Sequence, residues 1–169
     1  MKRTSRNAKP AVVSLPWLIR QIGRLRRQKK SIAFTNGCFD LLHAGHLSYL
    51  EKIKQRADVL IVGVNSDASV RELKGSGRPL VPARERARLV AALKPVDFVV
   101  LFAEKTPLRL IRSIQPDLLA KGADWKQQEI AGKAIVESAG GRVMRVPFLK
   151  GHSTTGLIQK LKVSQRRKR

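Results

Sequence analysis

Five short apolar segments, separated by stretches of helical pattern, constrain the fold of this chain more than any other feature. In the clearest of them, 58–65, the residues from Val59 to Val64 are all apolar apart from one glycine, and most are β-branched. Such runs are typical of strands buried on both faces of a parallel sheet. The strands are predicted at 31–36, 58–65, 96–102, 117–121 and 142–146. The pattern predicts an α/β fold, a Rossmann-like three-layer arrangement around a mostly parallel sheet of about five strands.

Helical spacing of apolar residues occurs before the first of these strands and in the intervals between them. Leu15, Leu18, Ile19, Ile22 and Leu25 follow Ser14, which is a good N-cap residue, and they predict a helix over 15–30. Further helices are predicted at 44–57, 83–93, 107–114 and 127–139, and from residue 153 onward. We therefore expect a disordered basic lead-in at 1–13, an N-terminal helix at 14–30, one main domain at 31–162 and a basic tail at 163–169.

The charge of the chain is concentrated at its two ends. The net charge is +23, from 35 Lys and Arg against 12 Asp and Glu. Residues 1–30 carry ten basic residues and no acidic one, and residues 160–169 carry six and none, which leaves +7 between them. A moderately basic middle suits substrates that bear phosphates. The ends are compatible with nucleic-acid binding, but they lack interleaved aromatic residues, so we expect this not to be the main role.

Several classes of protein are disfavoured by what the sequence lacks. Cys38 is the only cysteine, which excludes an internal disulfide and a cysteine-rich zinc site. Neither a Gly-X-Gly-X-X-Gly motif nor a Walker-type Gly-Lys-Ser/Thr motif is present, which disfavours a dinucleotide dehydrogenase and a P-loop kinase. No apolar run approaches the ~20 residues that span a bilayer. We expect a cytoplasmic protein that does not interact with membranes.

The segment 35–46, Thr-Asn-Gly-Cys-Phe-Asp-Leu-Leu-His-Ala-Gly-His, directly follows the first predicted strand. Gly37 permits a close backbone approach, so amide groups can face a phosphate. His43 and His46 are three residues apart, so they can point the same way from the first turn of a helix. Gly45 leaves room for a ligand against the backbone, and the helix N-terminus favours anions. The segment predicts a phosphate-binding site at the edge of the sheet.

This segment resembles the His-X-Gly-His nucleotidyltransferase superfamily, and further motifs extend the resemblance from about residue 31 to 162. The whole pattern looks like the adenylyltransferase half of the bacterial bifunctional heptose-phosphate kinase/adenylyltransferase. The motifs are 64–67 (Val-Asn-Ser-Asp), 74–79 (Lys-Gly-Ser-Gly-Arg-Pro), Glu85-Arg86, 105–107 (Lys-Thr-Pro), 116–122 (Pro-Asp-Leu-Leu-Ala-Lys-Gly) and 151–155 (Gly-His-Ser-Thr-Thr). The resemblance implies a nucleotidylyl transferase fold and a stand-alone adenylyltransferase without the kinase half.

The resemblance also assigns roles to individual residues. It makes His43, His46 and Lys74 catalytic. It implies that the remaining site residues bind the nucleotide: Thr35, Asn36, Gly37, Cys38, Phe39, Gly45, Arg86, Gly122, Asp124, Ser153, Thr154 and Thr155. Ser153 to Thr155 can at the same time cap the last helix. No direct metal ligand is expected, although Asp40 is a candidate for holding an ion through water.

The substrates are narrowed by comparison with related branches. Similar glycerol-3-phosphate cytidylyltransferases carry Arg-Thr-Glu-Gly before the Ser-Thr-Thr, whereas this chain has Phe-Leu-Lys-Gly at 148–151. This difference favours the heptose type, while Gly122-Ala-Asp-Trp125 departs from its more usual Gly-Gly-Asp-Tyr. The expected substrates are therefore ATP with Mg²⁺ and a sugar 1-phosphate, foremost D-glycero-β-D-manno-heptose 1-phosphate. Another phosphorylated polyol or alcohol, with AMP or CMP transfer, remains one alternative. A basic nucleic-acid-binding protein with a retired active site is the alternative from a different class. A homodimer is compatible with the sequence.

Overall fold

The computed structural model describes residues 12–147 together with residues 149, 151, 154, 156 and 158. Most of the predicted basic lead-in, the basic tail and most of the last predicted helix lie outside the described residues. Val12 and Val13, which belong to the predicted lead-in, lie beside Val99: Val12 forms a parallel bridge with it, and the Val13 amide donates to its carbonyl at 2.9 Å. No helix among the described residues is long and apolar enough to cross a bilayer.

A single five-stranded sheet, parallel throughout, organises the molecule. The strand order is β3-β2-β1-β4-β5, so the chain fills one side of the sheet first and then crosses β1 to the other. The strands are β1 (Ile32–Gly37), β2 (Val59–Asn65), β3 (Phe98–Phe102), β4 (Leu118–Gly122) and β5 (Arg142–Val146). This confirms the predicted α/β class, and each strand begins within two residues of its predicted start.

Helices cover both faces of the sheet. The helices are α1 (Leu15–Arg27), α2 (Ala44–Lys54), α3 (Asp67–Lys74), α4 (Ala83–Ala91), α5 (Leu108–Ile114) and α6 (Lys133–Ser138). One buried cluster joins α1, α5 and α6 to one face of the sheet, and a second joins α2 and α4 to the other. Along β2, Val59 and Ile61 belong to the first cluster, whereas Leu60, Val62 and Val64 belong to the second. The alternation of side chains along a strand thus builds two cores from one apolar run.

Two elements differ from the sequence-based prediction. The helix α3 follows β2 directly and was not predicted, because its eight residues are mostly polar; the Ser66 hydroxyl caps it by accepting the Ser69 amide at 3.2 Å. The helix predicted over 127–139 is divided into a 3-10 helix, Gln127–Glu129, and α6. Gly132 separates them with a φ of +87°, a left-handed conformation that glycine adopts readily and that ends helical geometry.

The central strands β1 and β4 separate toward their carboxyl ends. Their pairing covers only Ala33 with Leu118 and Phe34 with Leu119, whereas β1 stays paired with β2 as far as Gly37. Strand order reverses at this junction, which is where open α/β sheets bind ligands. The fold therefore has its switch point between the carboxyl ends of β1 and β4, a region called the crevice below, and the segment 35–46 begins in β1 beside it.

Candidate active site

The turn after β1 directs the chain from the sheet into α2. Phe39 has a φ of +47°, an uncommon conformation for a residue with a side chain, and its ring is buried. A Cβ added to Gly37 would lie 3.1 Å from that ring, so only glycine fits there without displacing it. The Phe39 ring also packs on His46, with the ring centroids 5.3 Å apart. The core thus holds the turn that positions the histidines.

His43 and His46 form a stacked pair at the start of α2. Their ring centroids are 3.9 Å apart and the planes differ by 24°. His43 is the N-cap residue of the helix, and its carbonyl accepts the His46 amide at 2.9 Å. Both rings are half-buried, and Gly45 between them is buried. The spacing of three residues therefore brings the imidazoles together at a helix N-terminus, as predicted from the sequence.

His46 is held in its neutral form. Burial, reinforced by the neighbouring His43, lowers the pKa of His46 to about 4. Its Nδ1 atom is buried and has no hydrogen-bond partner among the described residues. A neutral imidazole can donate a hydrogen bond to a phosphate oxygen without carrying a charge beforehand. The pair is thus equipped to act as hydrogen-bond donors.

The carboxylate of Asp40 makes its contacts within the protein. Its Oδ1 accepts the amides of Leu80 and Val81 at 2.8 and 3.0 Å, and Arg78 Nε lies 2.8 Å from Oδ2. The side chain is 3% exposed. These contacts tie the loop before α4 to the turn after β1. Asp40 therefore secures the loop, and its role in holding an ion through water stays a prediction.

Arg86 also lies beneath the site rather than at its surface. The side chain is fully buried, and Nε donates to the Val81 carbonyl while a terminal nitrogen donates to the Cys38 carbonyl. The other terminal nitrogen donates to the Asn65 carbonyl at 2.8 Å and to Asp67 Oδ1 at 2.7 Å. These contacts clamp the ends of β1 and β2 to the first turn of α3. The nucleotide-binding role that the resemblance implies for Arg86 stays a prediction.

The other predicted residues of this edge differ in exposure. Lys74, the last residue of α3, is exposed, and its charge acts on Cys38. Burial raises the pKa of the Cys38 thiol, although Lys74 and Arg86 oppose the shift. The Thr35 hydroxyl shares a 2.8 Å hydrogen bond with the buried Tyr49 hydroxyl. The Thr35 side chain thus anchors β1 to α2. The raised pKa of the Cys38 thiol disfavours the thiolate form that a cysteine nucleophile requires.

Across the crevice, the end of β4 contributes a cation that sequence reasoning missed. Lys121 is buried, and its Nζ donates to Asn36 Oδ1 at 2.5 Å. The ammonium also lies 5.4 Å from the centroid of the Trp125 ring. Gly122 ends the strand and Asp124 follows in an exposed turn. The available signal is a single lysine at the end of an apolar strand.

The last predicted segment of the site is described only in part. Thr154 is helical, and its hydroxyl donates to the Leu41 carbonyl at 3.5 Å. This contact brings the segment to the loop that precedes α2. Ser153 and Thr155 lie outside the described residues, so their predicted role as phosphate ligands stays a prediction.

No group of three or more His, Cys, Asp or Glu side chains suited to a metal ion occurs among the described residues. A basic cleft of about 650 Å³ lies at the opposite edge of the sheet and is lined by Arg26, Arg56 and Arg142 among others. Arg26 there donates to the carbonyls of Ile114 and Gln115 at the end of α5. Because cations stabilise helix C-termini, Arg26 has a structural explanation at this edge.

A parallel sheet with a crevice at its switch point, and a stacked histidine pair at the helix N-terminus beside it, define a nucleotidyl-transferring α/β protein of the His-X-Gly-His type. The chain belongs to the cytidylyltransferase-like family, whose model matches residues 34–160. This confirms the resemblance to this family that the motifs indicated.

Curated relatives refine this assignment. The bifunctional protein HldE of Geotalea uraniireducens (strain Rf4) is 56% identical over 133 residues, which is 79% of this chain and 27% of that protein. The bifunctional protein HldE of Magnetococcus marinus is 50% identical over 141 residues, 83% of this chain and 29% of that protein. The chain thus spans under a third of the length of these relatives.

Two solved structures share the fold. The lipopolysaccharide core biosynthesis protein from Thermoplasma volcanium has a TM-score of 0.60 and 29% identity, over 73% of this chain and 99% of that chain. The pantoate-beta-alanine ligase from Francisella tularensis, complexed with beta-gamma ATP and beta-alanine, has a TM-score of 0.58 and 15% identity, over 92% and 78% of the two chains. At that identity, the second likeness shows the fold alone.

Proposed function

We propose that this protein transfers AMP from ATP to a sugar 1-phosphate, foremost D-glycero-β-D-manno-heptose 1-phosphate, and releases pyrophosphate. The observation that carries the proposal is the stacked pair of His43 and His46 at the N-terminus of α2, beside the crevice between β1 and β4. The identity to HldE proteins supports the choice of heptose, and the match covers the region that contains the pair. The likeness to a lipopolysaccharide core biosynthesis protein points in the same direction.

The chemistry requires no general base and no covalent intermediate, because the acceptor phosphate is already an anion at neutral pH. An oxygen of the acceptor phosphate attacks the α-phosphorus of ATP, a new P–O bond forms, and the bond from the α-phosphorus to the bridging oxygen breaks. Negative charge then grows on the departing pyrophosphate. Catalysis rests on positioning the two substrates and on stabilising that charge.

The histidine pair stabilises the leaving group in this proposal. His46 is neutral, so it donates a hydrogen bond to a phosphate oxygen, and that bond strengthens as charge develops there. The amide groups of the first turn of α2 and the turn containing Gly37 receive the triphosphate. Lys74, exposed at the end of α3, supplies a cation to the phosphates. Arg86 contributes by holding the backbone of Cys38 and Asn65 in place.

Mg²⁺ accompanies ATP in this proposal, bound by the phosphate oxygens. The described residues offer no cluster of three ligands for an ion, and the carboxylate of Asp40 is engaged by Arg78 and by two amides. No catalytic step is assigned to the ion.

The proposal is tested with a pyrophosphate-release assay that pairs ATP or CTP with several acceptors, including heptose 1-phosphate and glycerol 3-phosphate. ATP with heptose 1-phosphate is expected to give the highest kcat/KM. Release that requires CTP, or that is fastest with glycerol 3-phosphate, contradicts the choice of substrates. Absence of release with every pair contradicts the proposed transfer itself.

The role of the histidine pair is tested with His46→Ala. The variant is expected to keep the far-UV circular dichroism of the wild type and to lose turnover by about a hundredfold or more, the usual effect of removing a donor to developing charge. Glu51→Gln, at an exposed position of the same helix, is the matched control and is expected to retain full turnover. A His46→Ala variant within a few-fold of wild-type kcat refutes the role.

A further inference from the structure

Lys121 is a buried cation at the junction where the two halves of the sheet separate. Lys121 lies in β4 directly before its last residue, Gly122, and is 7% exposed. Nζ donates to Asn36 Oδ1 at 2.5 Å and lies 3.5 Å from the Asn36 carbonyl. Asn36 and Lys121 would be partners if the β1–β4 register continued, because each lies two residues beyond the last pair, Phe34 with Leu119. The contact therefore spans the crevice where the strands no longer pair.

The charge of Lys121 is not balanced within the described residues. Three other cations with restricted exposure have a carboxylate close by: Arg86 has Asp67 at 2.7 Å, Arg78 has Asp40 at 2.8 Å and Lys54 has Asp97 at 2.5 Å. No carboxylate of the described residues lies within 4.0 Å of Lys121 Nζ. Its contacts are an amide oxygen, a carbonyl and the Trp125 ring.

This environment is unfavourable for the protein alone. Burial lowers the pKa of Lys121 to about 8, even though Asp124 and Cys38 act in the opposite direction. Buried charges are normally paired, because removing an ion from water without a counter-ion is costly. A cation left unpaired in a crevice is the arrangement expected where an anionic ligand completes the site.

We propose that Lys121 binds a substrate phosphate at the junction of β1 and β4, and that this phosphate supplies the missing counter-ion. The inference rests on the proposed function, in which an anionic acceptor must approach polyanionic ATP. The His43–His46 pair borders the crevice on the side of α2, and Lys121 borders it at the end of β4. The phosphate belongs either to the sugar 1-phosphate acceptor or to ATP, and binding measurements on each substrate separately distinguish the two.

The test uses Lys121→Met, which keeps the length of the side chain and removes its charge, and Lys121→Arg, which keeps the charge. Lys54→Met is the matched control, because Lys54 is a half-buried lysine that is paired with Asp97 at the opposite end of α2. Thermal unfolding of the ligand-free variants is measured first. Isothermal titration then gives the affinity for MgATP and for heptose 1-phosphate in separate experiments, neither of which requires turnover.

Ligand-free Lys121→Met is expected to unfold at or above the wild-type midpoint, whereas Lys54→Met unfolds below it. Lys121→Met is also expected to bind one of the two substrates about tenfold to a hundredfold more weakly, as for the loss of a charged hydrogen bond. Weaker binding of heptose 1-phosphate assigns the contact to the acceptor, and weaker binding of MgATP assigns it to the nucleotide. Lys121→Arg should retain more of the affinity than Lys121→Met.

Unchanged affinity for both substrates in Lys121→Met overturns the inference. A lowered midpoint in Lys121→Met, with Lys121→Arg binding no better than Lys121→Met, also overturns it, since the residue then serves only to join the strands. Failure of the wild type to release pyrophosphate with any acceptor would refute the proposed function instead. In that case, a charge-dependent loss of MgATP binding in Lys121→Met would still support a phosphate contact.

Discussion

A buried cation acts differently according to its surroundings, and Arg86 and Lys121 represent the two situations. The guanidinium of Arg86 is surrounded by three carbonyls and the carboxylate of Asp67, all from this chain. The Nζ atom of Lys121 donates to two oxygens of Asn36. No carboxylate of the described residues lies within ion-pair distance of it. Arg86 is therefore satisfied without a ligand and organises the loops, whereas Lys121 is left for an anion to complete.

The clamp formed by Arg86 makes a prediction about stability. In Arg86→Lys, the charge is kept but the planar fork is lost, and one ammonium cannot reach Val81, Cys38, Asn65 and Asp67 together. The free energy of unfolding is expected to fall by about 2–4 kcal/mol, because buried acceptors lose their donors. Urea denaturation measures this change.

Arg88→Lys is the control for that substitution, because Arg88 is exposed on the same helix α4. It is expected to stay within about 0.5 kcal/mol of the wild type, as is usual for surface substitutions. If Arg86→Lys also lies within that range, the clamp does not stabilise the fold.

Among the elements, α6 illustrates how one glycine sets the limits of a helix. Gly132 immediately precedes α6 with a φ of +87°, and the Ile111 side chain of α5 occupies the space where a Cβ would lie. The distance from that Cβ position to Ile111 Cγ2 would be 3.2 Å, and Cδ1 would be closer still. Backbone conformation and packing therefore both require glycine, and they divide a continuous helical pattern into two elements.

Gly132→Ala is accordingly expected to lower the free energy of unfolding by about 1–3 kcal/mol, from the strained φ and the overlap with Ile111. Chemical denaturation followed by circular dichroism provides the measurement. Gly77→Ala serves as the control, since a Cβ at Gly77 meets nothing within 4 Å. Equal stability of Gly132→Ala and Gly77→Ala would show that α5 and α6 adjust without cost.

At the level of the whole molecule, the two edges of the sheet carry different sets of side chains. The amino-terminal edge is where α1, α2 and α5 end, and basic side chains such as Arg26 stabilise the helix ends there. The carboxyl-terminal edge carries the N-terminus of α2, the histidine pair and Lys121. The net charge of +23 is concentrated at the two ends of the chain, and the stretch between them still carries +7, so the specificity of an anion for one edge of the sheet has to come from geometry.

Binding of MgATP at this edge is expected to stabilise the whole fold. A ligand at a hundred times its Kd contributes about 2.7 kcal/mol, which corresponds to a rise in Tm of roughly 5–10 °C for a domain of this size. Differential scanning fluorimetry measures the shift. Sodium sulfate of matched ionic strength is the control, because a basic protein also gains from unspecific anions. Equal shifts with MgATP and with sulfate would contradict a specific nucleotide site.

The sequence alone was sufficient for the fold class, the five strands and the histidine pair. These features depend on local patterns: apolar β-branched runs define buried strands, and a spacing of three places His43 and His46 on one side of a helical turn. The family resemblance rested on the same contiguous segments, and the comparison with known proteins confirmed it. Short-range pattern and local backbone geometry are enough for such features.

Only the tertiary structure decided which charged residues find partners within the protein. Arg86 and Asp40 are both beside the motif segments, yet their partners are Cys38, 48 residues before Arg86, and Leu80, 40 residues after Asp40. Lys121 meets Asn36 across 85 residues of chain. Whether a charged side chain is satisfied by the protein depends on atoms brought together by folding. Since no local pattern encodes those distances, the roles of these residues emerged only from the packed molecule.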